Sequence, residues 1–156
     1  MPDFDIAGFA AELGRMSVRA ATAVEEALER AAVIVEKEAK REIGHYQQAA
    51  GRFPAWPKLK PATIAEKMRE GYAPPDNPLK RSGWMRASIE HQVHAEALSG
   101  EAQIGSNDPV AEYQEEGTER MDARSFLGRA AVRKEEEVVG LLGEAVAVAL
   151  GATRIR

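Results

Sequence analysis

The chain of 156 residues contains no cysteine, which excludes disulfide bonds, thiolate zinc sites and cysteine nucleophiles. We therefore expect its stability to come from buried apolar side chains and from assembly. It also lacks the run of about 18 apolar residues that a membrane-spanning helix needs. The nearest candidate, residues 138–150, is short and is interrupted by Glu144. The start has no basic region followed by an apolar run, so neither a secretory signal nor a membrane partner is expected.

The chain has fewer basic residues than acidic ones, 21 against 25. The formal net charge is −4, which argues against a protein that grips nucleic-acid phosphates through an overall positive field. Any DNA-binding patch would have to be local. The hydrophobic content of 44% with 29% charged residues is typical of a globular chain, and the length favours a single domain over residues 1–156.

Apolar residues recur at spacings of three and four between Ser17 and Ile43, which predicts a long amphipathic helix. We expect Ser17 to cap its start and Gly44 to end it. Residues 1–16 are expected to form an N-terminal arm or short helix with one apolar side. The same spacing predicts a second amphipathic helix from Phe126 onward, in which two glycines are tolerable if they allow tight packing.

The stretch 45–78 holds six of the eight prolines, so long regular elements are excluded there. We expect a proline-rich surface excursion with a short helix that opens at Pro61. Alternating apolar and polar residues from 87 to 95 predict a half-buried strand, followed by a turn at Ser99-Gly100 and an antiparallel partner over 101–105. The predicted class is α+β, with a long N-terminal helix and a C-terminal helix packed on a small antiparallel sheet.

No pattern of catalytic or metal-binding residues is present. His91 and His94 are three apart on the predicted strand and face opposite sides, so local geometry does not let them share a metal ion. The acidic groups Glu115-Glu116 and 135–137 are interpreted as solvated faces. No serine elbow or glycine-rich phosphate loop occurs. We therefore predict no enzyme activity, no metal and no cofactor.

The middle of the chain is its most basic region and contains interleaved aromatic residues. Two interpretations stay open: a protein interface, which the acidic whole favours, and a nucleic-acid-binding module. The residues concerned are Lys58, Lys60, Lys67, Arg69, Lys80, Arg81 and Arg86, with Trp56, Tyr72 and Trp84 among them.

The stretch from Tyr113 to Leu127 is the most informative segment. Gly117 beside Thr118 permits a backbone reversal, because glycine alone enters the positive-φ region without a side-chain clash. Ser125 is expected to cap the final helix by accepting a backbone N–H.

Several short motifs follow one another along residues 31–131. They are the long helix ending near Lys40, Trp56-Pro57-Lys58-Leu59, Thr63, Lys67, residues 78–86, Ser88-Ile89, Gly105-Ser106, Tyr113, Glu116-Gly117-Thr118, residues 123–127 and Ala130. In this order and spacing the chain resembles the tail-completion, or head-tail joining, proteins of tailed bacteriophages, including the Mu-like virion morphogenesis group. It departs from their pattern at Ser125, where members often carry proline, and at Ser82, where threonine is common.

The resemblance implies an α+β subunit of a hexameric ring between neck and tail tube. Its implied partners are copies of itself, portal-side neck proteins and tail-tube proteins, with DNA passing through the lumen without specific binding. The implied location is the host cytoplasm during assembly and then the virion. Phe126 and Leu127 are equally candidates for the core. The candidate interface residues are Trp56, Leu59, Trp84, Tyr113, Glu116, Gly117, Thr118, Arg124, Phe126 and Leu127.

Overall fold

A computed structural model describes residues 6–96 and 99–151. It has the predicted α+β class, with a long N-terminal helix, a C-terminal helix and a two-stranded antiparallel sheet. In chain order the elements are α1 (Ile6–Glu42), α2 (Pro61–Arg69), α3 (Trp84–Ala87), β1 (Ile89–Glu96), β2 (Ser99–Ser106), α4 (Pro109–Glu116) and α5 (Leu127–Ala149).

The described residues fall into two compact units. Unit 1 takes those within 6–32, 92–103 and 136–151, and unit 2 takes 33–91 and 104–135. Each unit therefore contains its own section of α1 and α5 and part of the hairpin. Neither is one continuous stretch of sequence.

Helix α1 runs without a break through the position where a cap was predicted. Ser17 lies inside the helix, so the predicted cap was wrong. Residues 6–16 are helical, and they continue α1 without a break. The rest of that arm, residues 1–5, lies outside the described residues. The physical reason is that a glycine such as Gly14 weakens a helix without ending it, since one interior glycine costs only about 1 kcal/mol relative to alanine. Once nucleated, a helix propagates through such a position.

The end of α1 is as predicted. Gly44 has a φ of +95°, in the left-handed region that favours glycine, and its amide donates to the carbonyl of Pro78 at 2.9 Å. Lys40 and Arg41 occupy the last turn, where positive charge suits the helix dipole. The predicted short helix at Pro61 is also confirmed.

The hairpin follows the predicted alternation, since inward and exposed residues alternate along β1. Its limits differ from the prediction: Ala87 belongs to α3, while Ser99 and Gly100 belong to β2. The connection at 97–98 lies outside the described residues. In unit 1 a Cβ placed on Gly100 would lie 2.5 Å from Leu28 Cδ1, so the hairpin packs closely on α1.

In unit 1 the predicted apolar face of α1 is buried at Leu28 and Ala31, and Ala27, which was not predicted, is buried with them. The two glycines of α5 behave differently from the expectation. A Cβ placed on Gly140 or on Gly143 would meet no described atom within 4 Å, so no tight packing requires these glycines.

Unit 2 is organised around a buried arginine. Arg129 is the largest fully buried side chain of the described chain. Its guanidinium donates to the carbonyls of Gln48 and Pro54, and to that of Ser125 at 3.3 Å. Residue 129 lies three positions after buried Phe126, so the periodicity of the predicted helix puts it on the buried face. Arginine seldom occupies such a position.

Glu42 is the anion nearest to this arginine. Its carboxylate lies 3.9 Å from Arg129 Nε and 3.5 Å from Arg133 Nε, and neither oxygen accepts a hydrogen bond from a described group. Burial raises the pKa of Glu42 to about 7, because the two arginines only partly offset the loss of water and Glu38 and Glu115 add repulsion.

This raised pKa predicts a specific pH dependence. Between the unfolded pKa near 4.5 and the folded pKa of about 7, the folded state keeps a proton on Glu42 that the unfolded state has released. The stability that this proton contributes is fully present below pH 4.5 and is lost as the pH rises through about 7. Glu42→Gln should therefore gain stability relative to the unmodified protein across that window, by up to about 3 kcal/mol. Urea unfolding at several pH values measures this difference. Glu116→Gln is the exposed control, and a pH-independent difference for Glu42→Gln would contradict the assignment.

Candidate functional site

The loop after α4 reverses the chain as the sequence predicted. Gly117 has a φ of +80°, and a Cβ there would lie 2.8 Å from the backbone nitrogen of Ala123. No other residue fits this position without moving the backbone. The amide of Thr118 donates to the carbonyl of Met121 at 2.8 Å and closes the turn.

Glu115, on α4, caps the first turn of α5. Its carboxylate accepts from the amides of Phe126 at 2.7 Å and of Leu127 and Gly128 at 2.9 Å. The hydroxyl of Ser125 donates to the same carboxylate at 2.5 Å. These amides have no partner within the helix, and the negative charge suits the positive end of its dipole. One side chain therefore fixes both the start and the direction of α5.

Two sequence interpretations were wrong here. Ser125 does not cap α5 by accepting an amide; it donates its proton to Glu115 instead. Glu115 is half-buried rather than part of a solvated acidic face. The reason is that the cap comes from another helix, ten or more residues earlier, which local capping rules do not detect.

Three predicted interface residues lie inside unit 2: Trp56, Arg124 and Phe126. Trp56 donates its indole N–H to the carbonyl of Ser125 at 3.1 Å, and Arg124 donates to that of Pro57 at 3.1 Å. These contacts tie the proline-rich excursion to the segment before α5. Their interior position gives the three residues a structural role within unit 2.

The other candidates are more accessible. Trp84 is 70% exposed and Tyr113 is 54% exposed. Glu116 and Thr118 are also exposed, whereas Leu59, Gly117 and Leu127 are half-buried. The ten candidates thus do not form one surface, and the exposed aromatic pair is the part available for contact.

Unit 2 contains a cleft of about 530 Å³, bordered by α2, the segment before α3, and the α4 region. The cleft brings together five of the seven basic residues noted in the sequence and adds two from beyond α4. Arg69 and Arg86 do not line it, and Trp84 is the only one of the three interleaved aromatic residues that does. The basic lining residues are Lys58, Lys60, Lys67, Lys80, Arg81, Arg120 and Arg124.

Of the three acidic residues that line the cleft, Glu66 and Asp108 already have partners within unit 2. Arg81 forms ion pairs with Glu66 at 3.3 Å and with Glu70 at 3.0 Å. Asp108 caps α4 by accepting from the amide of Val110 at 3.0 Å. The remaining cations have no carboxylate partner among the described residues, so the cleft carries an excess of positive charge.

Lys67 is the least expected of these cations because it is buried. Its ammonium donates to the carbonyl of Asn77 at 2.6 Å, and no ion pair with a described carboxylate accompanies this bond. Burial lowers the pKa of Lys67, and the nearby charge of Arg81 adds to the effect. An ammonium group with one acceptor for three donors favours an anion in the cleft.

His91 contacts a residue that the sequence did not connect with it. Its ring bonds to Glu36 on α1, which also pairs with Lys40 at 2.5 Å. Burial raises the pKa of Glu36, but the bonds from Lys40 and His91 outweigh it, and the net pKa lies below the ordinary value. Across residues 6–96 and 99–151, no three histidine or acidic side chains are grouped to hold a metal ion.

Comparisons with protein-family models, with curated proteins and with solved structures found no match for this chain. In the described part of the chain, no helix is both long and apolar enough to cross a membrane.

The cap on α5 predicts a large difference between two adjacent glutamates. Glu115→Ala removes the acceptor of three helix amides and should lower the free energy of unfolding by about 3 kcal/mol. Glu116→Ala, at an exposed position on the same helix, should change it by less than about 0.5 kcal/mol. Chemical denaturation followed by circular dichroism measures both. Equal effects would show that the cap contributes little.

Proposed function

We propose that this chain is a structural subunit of virion assembly that acts by binding copies of itself and neighbouring virion proteins. The observation that carries the proposal is Trp84, whose indole is 70% exposed on the border of the basic cleft. Large aromatic residues are the favoured anchors of protein interfaces, and exposing one to water is costly unless a partner covers it.

Further exposed apolar side chains support an assembly role. On unit 2 they are Met68, Val110 and Tyr113, and on unit 1 they are Leu13, Val18, Val139, Val146, Val148 and Leu150. Scattered apolar residues are ordinary on a monomer, but Trp84 and Val110 border one cleft together. That pairing favours a binding surface in unit 2.

The resemblance noted in the sequence supplies the biological setting of the proposal. The subunit would form a ring, hexameric by that resemblance, between the neck and the tail tube. It would be assembled in the host cytoplasm and retained in the virion. Its net negative charge would let DNA pass through the lumen without adhering. The proposal assigns no catalysis; of the carboxylates that line the cleft, Glu66 is paired with Arg81 and Asp108 caps the start of α4.

Light scattering over a range of protein concentrations tests this function. We expect a species larger than the 17.0 kDa chain, alone or with tail-tube protein. Trp84→Ala should weaken association by at least about tenfold, the usual effect of removing an aromatic anchor, while leaving the fold intact. Arg69→Ala, at an exposed position on unit 2 that does not line the cleft, is the control. A monomer at every concentration that does not bind tail-tube protein would contradict the proposal.

Nucleic-acid binding is a second candidate, favoured by the gathering of basic residues beside exposed Trp84. Such a site would combine phosphate contacts with base stacking. It predicts a gel shift with single-stranded DNA that weakens steeply as salt increases, and that Trp84→Ala reduces. The assembly function requires no such shift, so this measurement separates the two candidates.

A further inference from the structure

We infer that the basic cleft of one copy receives an acidic, aromatic patch on α4 of a second copy. The inference rests on the proposed self-association and names its two surfaces. The patch consists of Glu112, Tyr113 and Glu116 on α4, together with Glu119 in the turn that follows; all four are exposed and none lines the cleft.

The cleft supplies the cationic half of this contact. The side chains of Lys60, Lys80 and Arg120 form no hydrogen bond or ion pair within the described chain, and Lys67 offers a buried ammonium without a carboxylate. Leu79 borders the same cleft with a φ of +60°, a conformation that is uncommon for leucine. The surface is therefore basic and partly apolar.

Helix α4 supplies the acidic half because of its register. Ala111 is buried and Glu115 is turned toward the start of α5, so these two define its inner side. Glu112 and Glu116 are four residues apart and therefore share one face, and Tyr113 is three residues before Glu116 and lies next to it on the helix surface. This outer face presents two carboxylates around an aromatic ring that is 54% exposed.

Charge favours this occupant over nucleic acid. Glu66, Asp108 and Asp122 interrupt the basic lining of the cleft, which therefore offers no continuous cationic track for a polyphosphate. A patch with a few carboxylates and a tyrosine matches the mixed basic and apolar lining better. Its phenol ring can pack near Trp84 while its carboxylates meet the lysines.

The two surfaces are different, so the contact is heterologous. Contacts of this type close into rings when the rotation between copies allows it and otherwise grow into filaments. The inferred contact is thus compatible with the ring that the proposed function requires.

Charge reversal of each surface tests the inference. One variant carries Glu112→Lys with Glu116→Lys, and the other carries Lys60→Glu with Lys80→Glu. Each alone brings like charges together and should weaken self-association by at least about tenfold. An equal mixture should restore it, because the reversed patch of one variant matches the reversed cleft of the other. Sedimentation velocity measures association, and circular dichroism verifies folding.

Two variants with the same charge change serve as controls. Glu135→Lys with Glu136→Lys alters exposed acidic residues outside α4, and Arg69→Glu with Arg86→Glu alters exposed basic residues that do not line the cleft. Both should associate like the unmodified protein. Undiminished association of the two test variants, or a mixture that fails to restore it, would overturn the inference while leaving the proposed function standing. Absence of self-association in the unmodified protein would remove this inference and the self-association part of the proposed function together.

Discussion

The carboxylate of Glu115 is the contact on which the rest of unit 2 depends. It satisfies the first amides of α5 and, by accepting from Ser125, holds the segment that leads into that helix. Once α5 starts there, its register turns Phe126 and Arg129 inward. Arg129 then binds carbonyls of the excursion, and Trp56 and Arg124 add their own bonds to the same region. Burial of these groups is sustainable because nearly every donor has an acceptor.

This interior arrangement determines which side chains remain for contact with other molecules. With Trp56 and Phe126 used in the core, the outer face of α4 and the indole of Trp84 stay exposed on unit 2. The excursion, fixed by the same bonds, brings lysines from α2 and from the segment before α3 to one cleft. A chain of net negative charge thereby carries both the basic cleft and the acidic patch on α4. Such a pairing of opposite charges favours association between copies.

The elements of the fold were largely predictable because their signals are local. Apolar spacing, alternation, Pro61 and Gly44 each act within one or two turns of chain, and the structure follows them. The start of α1 was missed because no residue near Ser17 forces a helix to begin. The interior polar contacts were not predictable, since the pairs Glu115 with Phe126 and Glu42 with Arg133 join distant parts of the sequence. For the same reason the sequence indicated a basic region but not which of its residues would border a cleft.

The central claim is that Glu115 orders the chain internally, while the cleft and the outer face of α4 make contacts between copies. Hydrogen–deuterium exchange at low and high protein concentration tests this claim most directly. The account predicts that amides 126–128 are protected equally at both concentrations, and that segments 58–60, 79–84 and 112–119 gain protection only at the higher one. Rapid exchange of amides 126–128 in the dilute subunit, with protection appearing only on association, would contradict it.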